Sequence, residues 1–207
     1  QGLRSLERRH QLLGEEVSDL DQALAALTAA ANPALVAAKG IGTITAAQLL
    51  VTAGDNPDRL RSEASFAALA GVSPIPASSG KTNRYRLNRG GDRQANAALH
   101  RIALVRMSYE PRTRDYVARK RALGHSNKEI IRCLKRAIAR EVFTLLTTRV
   151  EVPVIDDLRP LRQARKLSLT TVAEHFNVWP ATISKLELGK HRDDDLANSY
   201  REWLTAA

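Results

Sequence analysis

Leu6, His10, Leu13, Val17, Leu20, Leu24, Leu27 and Ala31 recur at alternating spacings of four and three. That is an a/d seam of about four heptads on one long helix over 3–31. Glu7, Glu15, Glu16, Asp19 and Asp21 stand outside the seam. The pattern favours self-association into a homo-oligomer, or an antiparallel hairpin, over a helix packed on its own domain. Asn32-Pro33 ends the helix. Shorter elements follow: a brief helix, the turn Gly40-Ile41-Gly42, a helix from Thr45, and another from Ser62 to Leu69 closed by Gly71. Asp92 is the expected N-cap of a helix from Arg93 to about Tyr109, and 112–121 reads as a loop and short helix. Helix 127–148 carries Ile130, Ile131, Leu134, Ile138, Val142, Leu145 and Leu146 on one face. Lys128, Arg132, Lys135, Arg136 and Arg140 lie opposite. A Pro153-bearing linker at 149–157 precedes residues 158–207, which have their own apolar set: Leu158, Leu161, Leu167, Val172, Ala173, Phe176, Val178, Ile183, Leu186, Leu196, Tyr200, Trp203 and Leu204. The expected class is all-α.

Charge sharpens this division. Residues 81–150 hold 18 basic and 5 acidic side chains, net +13, whereas 151–207 hold 8 and 9, net −1. The whole chain carries +10. An excess confined to one third of the length is the footprint of a polyanionic partner, with a solvated basic face as the alternative. Cys133 is the single cysteine, which excludes a disulfide framework. Its place among Ile130, Ile131 and Leu134 predicts a buried structural thiol. The five histidines lack metal-ligand spacing, so no metal site is expected in this chain. No apolar run approaches ~18 residues and no signal peptide opens the chain, so a soluble, intracellular protein not associated with membrane is expected.

Two loops carry candidate chemistry. Gly40-Ile41-Gly42 before an amphipathic helix has helix–hairpin–helix spacing, in which Gly40 and Gly42 let backbone amides approach a DNA phosphate; a tight turn is the equal alternative. The second loop, about 72–91, holds Ser78-Ser79-Gly80 followed by Lys81, Arg84, Arg86 and Arg89, with Arg93 on the next helix. A serine hydroxyl is a poor nucleophile at neutral pH, and a cationic field favours both its alkoxide and the charge that develops at an attacked phosphate.

Those residues carry a family resemblance over about 32–146. Its blocks are Ala38-Lys-Gly-Ile-Gly, Phe66-Ala-Ala-Leu-Ala-Gly-Val-Ser-Pro, Ser79-Gly-Lys, Arg89-Gly-Gly-Asp-Arg-Gln-Ala-Asn and Leu134-Lys-Arg-Ala-Ile-Ala-Arg-Glu-Val. In this order they resemble the C-terminal domain of insertion-sequence transposases that pair a DEDD domain with a catalytic serine, also called bridge-RNA-guided recombinases. The family commonly has a second basic residue near Asn96 or Ala97, and both are uncharged here. The resemblance implies Ser79 as nucleophile, with Ser78 as fallback, in strand cleavage and transesterification. It also implies DNA and a structured guide RNA as partners. Divalent metal would reside in the DEDD domain. The chain starts at Gln1 within the long helix, and the expectation is the distal part of a longer protein, incompetent or weak in catalysis by itself.

Residues 158–189 resemble the lambda-repressor-like helix-turn-helix: Val172 and Ala173 on its first helix, Asn177 and Val178 at the turn, Ile183, Ser184, Leu186 and Glu187 on the recognition helix, and Gly189 closing it. The resemblance implies a five-helix domain whose Trp179, Ala181, Thr182, Ser184 and Lys185 face the major groove. Such domains also serve as protein contacts. The expected organisation is therefore a coiled-coil helix at 1–31, a serine transposase domain at 32–148, a linker at 149–157 and a helix-turn-helix domain at 158–207. A non-catalytic DNA-binding regulator acting through the last of these is the alternative function.

Overall fold

The computed structural model describes residues 2–54, 60–78, 85–86, 88, 90–148, 152, 154–189 and 193–206. Of the candidate residues, Ser79, Lys81, Arg84 and Arg89 lie outside them, as do Gly80, Arg149 and Pro153. The fold is all-α apart from two short strands, and the chain divides into two compact units: Gln1–Val36 with Gly40–Arg149, and Ala37–Lys39 with Val150–Ala207.

In the first unit, α1 (Gly2–Ala31), α2 (Pro33–Ala37), α3 (Thr43–Ala53) and α4 (Glu63–Leu69) lead to a two-stranded ribbon of β1 (Ile75–Pro76) and β2 (Tyr85–Arg86). Helices α5 (Arg93–Tyr109), α6 (Pro111–Ala122) and α7 (Asn127–Thr147) follow. α1 breaks at Asn32, whose side chain accepts from the Leu35 amide at 2.8 Å and donates to the Leu145 carbonyl at 2.8 Å. Thus the break also fastens α1 to α7. Most of α1 is exposed, including the seam residues Leu6, Leu13, Val17, Leu20 and Leu27.

The core of this unit is organised by α5, which packs against α3, α6 and α7. Its inward positions Ala95, Ala98, Leu99, Ile102 and Ala103 are fully buried, and their 3–4 spacing places them on one stripe. Three alanines in that stripe leave room for close helix approach. The same stripe continues to Arg106, which is 7% exposed. Glu141 of α7 meets its guanidinium in a two-pronged pair at 2.6 and 2.8 Å, the geometry that makes a buried arginine tolerable. Opposite, α7 contributes Ile130, Leu134, Ile138, Ala139 and Val142. Its start is fixed by a capping box between Ser126 and Glu129.

Three sequence expectations need correction here. Residues 111–122 form a continuous helix with proline at its start rather than a loop and short helix, because Thr113 and Val117 give it a buried stripe. The loop after Gly71 contains an antiparallel ribbon, Ile75 opposite Arg86 and Pro76 opposite Tyr85; two residues per strand are too few for alternation to register. Cys133 is exposed, since it falls one residue outside the buried Ile130–Leu134 stripe.

The second unit holds α8 (Leu158–Ala164), α9 (Leu169–His175), α10 (Pro180–Glu187) and α11 (Asp194–Thr205). Four helices, not five, are present among the described residues. Leu158, Val172, Ala173, Ile183, Leu186, Ala197, Tyr200 and Leu204 form its core, and Ile155 joins them from the stretch read as linker. Asp157, from the same stretch, pairs with Arg201 at 2.6 Å. Ser168 caps α9, and Asn177 turns the chain in the left-handed region at φ 52° between α9 and α10. Glu187 accepts from Arg162 at 2.6 and 2.9 Å and from the Tyr200 hydroxyl at 3.0 Å. One carboxylate therefore ties α8, α10 and α11 together, and burial beside it pushes the Tyr200 phenol above its ordinary value.

Candidate nucleic-acid interface

The segment that carries the serines is held at its base by backbone-to-backbone contact. Gly71 and Gly91 have φ of 64° and 88°. A Cβ on Gly91 would sit 2.6 Å from the Gly71 nitrogen and 2.7 Å from the Leu69 carbonyl, and one on Gly71 would sit 2.6 Å from the Gly90 carbonyl. Only glycine meets both demands, left-handed backbone and no side chain. Asp92 then donates its amide to the Leu69 carbonyl at 2.6 Å. Its carboxylate accepts from the Gln94 and Ala95 amides and from Thr52 at 2.7 Å. A loop of about twenty residues thus leaves and re-enters the helical scaffold at one point.

Asn96 and Lys135 complete this anchor. The Asn96 amide donates to the Ala70 and Gly71 carbonyls at 2.9 and 3.1 Å, and its oxygen accepts from the Lys135 ammonium at 2.5 Å. Burial holds that ammonium below the usual lysine value. Asn96 and Ala97 are themselves uncharged, yet α7 delivers a cation to the Asn96 side chain.

Beside the anchor opens a pocket of about 380 Å³, lined by Gly71–Pro74, by Tyr85, Arg86 and Asn88, and by Arg132, Cys133, Lys135, Arg136, Ala137 and Arg140 of α7. Glu63 binds Arg136 at 2.7 Å and Arg140 at 2.9 Å, holding two of the five cations in place. Of the earlier candidates, Arg86 lies in this pocket and Arg93 stands exposed at the first turn of α5. Ser78 is exposed two residues beyond β1. The α7 cations were visible as a basic face, but nothing in the chain order put them beside the β1–β2 ribbon. Gly40 faces inward, its position 3.1 Å from the Arg106 side chain. Gly42 is exposed at the N-cap of α3 with open space around it. In the second unit Trp179 is 82% exposed, Lys185 is exposed, and Thr182 and Ser184 are half-buried along α10.

Residues 32–118 match the family model described as Transposase IS116/IS110/IS902 family. This stretch resembles a transposase domain. Over 116 residues the chain is 34% identical to the insertion element IS110 uncharacterized 43.6 kDa protein of Streptomyces coelicolor, a match covering 56% of this chain and 28% of that protein. Over 108 residues it is 29% identical to the insertion element IS900 uncharacterized 42 kDa protein of Mycobacterium paratuberculosis, covering 52% and 27%. The match thus spans less than a third of either curated relative. The transposase-like stretch contains the Gly71–Gly91 anchor, Asn96 and the ribbon. It ends before α7, which brings the remaining pocket cations. No helix is long and apolar enough among the described residues to cross a membrane.

Proposed function

We propose that this chain acts in DNA transposition, with residues 32–148 as the serine-bearing, nucleic-acid-binding part. The observation that supports this most is the pocket of α7 cations beside the ribbon from which the Ser78–Arg84 segment springs, within a stretch similar to a transposase family. Ser79 is the proposed nucleophile and Ser78 the fallback. The serine oxygen attacks phosphorus, one P–O bond to the adjoining nucleotide breaks, and the released oxygen takes up a proton as a hydroxyl. The bond energy stays in a phosphoserine link that a second hydroxyl reverses in strand exchange. Arginine and lysine side chains stabilise the charge that builds on the phosphoryl oxygens. Divalent metal belongs to the DEDD domain of the resemblance. Among the described residues no group of three or more His, Cys, Asp or Glu is placed to hold an ion. The pocket cations suit structured RNA as well as DNA, and the exposed α1 seam suits a homo-oligomeric coiled coil.

Labelled DNA offered to the chain with a DEDD domain supplied tests the reading. Ser79→Ala should abolish the covalent protein–DNA adduct while binding stays within a few-fold. Loss with Ser78→Ala alone would move the nucleophile one residue, and adducts formed by both variants would overturn serine catalysis.

A second reading, a non-catalytic DNA-binding regulator, is favoured by α9 and α10, whose exposed Trp179 and Lys185 suit a recognition helix in the major groove. Truncation after Arg149 should then change which sequences survive a binding selection. Unchanged sequences would assign the second unit to protein contact instead.

A further inference from the structure

The pocket beside the β1–β2 ribbon has a lining that a duplex-binding surface does not need. A surface for paired DNA is an open cationic face that follows two phosphate backbones. Here a half-open recess of about 380 Å³ lies between α7 and residues 71–74, 85, 86 and 88, within the ~300–1,000 Å³ typical of small-molecule pockets. Its lining is mixed. Val72, Pro74 and Ala137 supply apolar surface and the Tyr85 ring is 68% exposed beside them. Arg86, Arg132 and Lys135 line the same space, and among the described residues none of these three has a carboxylate within ion-pair distance. An apolar recess with an aromatic ring and several cations is complementary to one nucleotide: an unstacked base against the ring and a phosphate on the cations.

We propose that this pocket takes a single nucleotide withdrawn from the base stack of the DNA substrate, next to the phosphodiester presented to the serine segment. The inference rests on the reading of 32–148 as a DNA-processing domain and deepens it. Withdrawing one nucleotide bends the backbone away from its stacked path and opens the adjoining phosphate to in-line approach. The withdrawal is easiest where the base is already unpaired. Tyr85 stacks on the base, and Lys135, oriented by Asn96, meets the phosphate.

The test uses the 207-residue chain and two otherwise identical duplexes, one carrying a single bulged thymidine. The bulged duplex should bind about tenfold more tightly, the size of one base–aromatic stack. Cys133 lines the pocket as the single cysteine of the chain, so its reaction with a thiol reagent should slow more in the bulged complex than in the paired one. Capping Cys133 with N-ethylmaleimide fills the pocket without altering its charge. It should erase the preference while binding of the paired duplex stays within twofold. Ala137→Leu, at an exposed position of α7, should reduce the preference in the same direction. Equal affinities in the unmodified chain, or a preference that survives capping, would overturn the proposal and leave DNA binding intact. Absence of binding to either duplex would overturn the underlying reading as well.

Discussion

Two arginine–glutamate clusters, Glu63 in the first unit and Glu187 in the second, work in opposite ways. In the first, Glu63 holds Arg136 and Arg140 at the wall of an accessible pocket, and the cations outnumber the carboxylate. In the second, Glu187 and Arg162 are both turned inward, joined by Tyr200, and the segment 151–207 is nearly neutral. An ion pair inside a small helical unit fixes the register of its helices, and losing one partner strands a buried charge. A pair at the wall of a cationic pocket instead orients guanidinium groups for an outside anion. The same chemical types thus serve architecture at Glu187, as they do at Arg106–Glu141 in the first unit, and a binding surface at Glu63.

The largest effect should come from breaking the architectural pair. Glu187→Ala should destabilise the second unit by about 3–5 kcal/mol, enough to unfold a unit of this size. Denaturation followed separately by Trp179 and Trp203 fluorescence and by hydrogen exchange of the α5 and α7 amides should show that unit melting while the first persists. A single shared transition at the wild-type midpoint would refute the assignment.

Gly91→Ala should be next, because a left-handed backbone costs about 1–3 kcal/mol for a non-glycine residue, and the new Cβ meets backbone at 2.6 Å. The loss should fall on the first unit alone, read as a lower Tm and faster proteolysis at 72–91. An unchanged Tm would mean the loop is not anchored there.

A smaller effect separates the units by salt. Replacing Arg84, Arg86 and Arg89 together by Ala should flatten the log–log salt dependence of DNA affinity by roughly 2–3 units if each meets a phosphate. Trp179→Ala should leave the slope unchanged and alter the selected sequences instead. A flattened slope in Trp179→Ala would erase that difference between the units.

The smallest effect concerns acid. Arg201 holds the Asp157 carboxyl below the usual aspartate value. A depressed folded-state value contributes stability that is present above the ordinary aspartate range and is lost as pH falls through the folded value. Asp157→Asn should therefore lower the Tm of the second unit modestly at neutral pH and flatten its acid limb below about pH 4. An acid limb identical to wild type would show that the pair contributes nothing.

How much of this was legible follows from which interactions are local. The Asp92 cap, the break at Asn32, the α7 stripe and the apolar set of 158–207 come from signals within a few residues, and the chain carries them openly. The resemblance also named the loop around Ser79 as the place of chemistry. The misplaced thiol shows the limit. Cys133 and Leu134 are neighbours in sequence, and only the packing of α7 decides that Leu134 is buried and that Cys133 is exposed and lines the pocket.

By itself, the sequence determined an all-α chain, a neutral terminal segment after a basic one, and an ordered set of motifs similar to a transposase family. Tertiary structure alone decided what those cations surround. Lys135 reaches Asn96 across 39 residues of chain and Glu63 reaches Arg140 across 77. Their meeting depends on the alanine-rich face of α5 drawing α3 and α7 close, and on Gly71 and Gly91 leaving no side chain between two backbones. Periodicity reports which face of a helix is apolar. It carries no information about which distant face will lie opposite, because that choice is made by the free energy of the whole packed core.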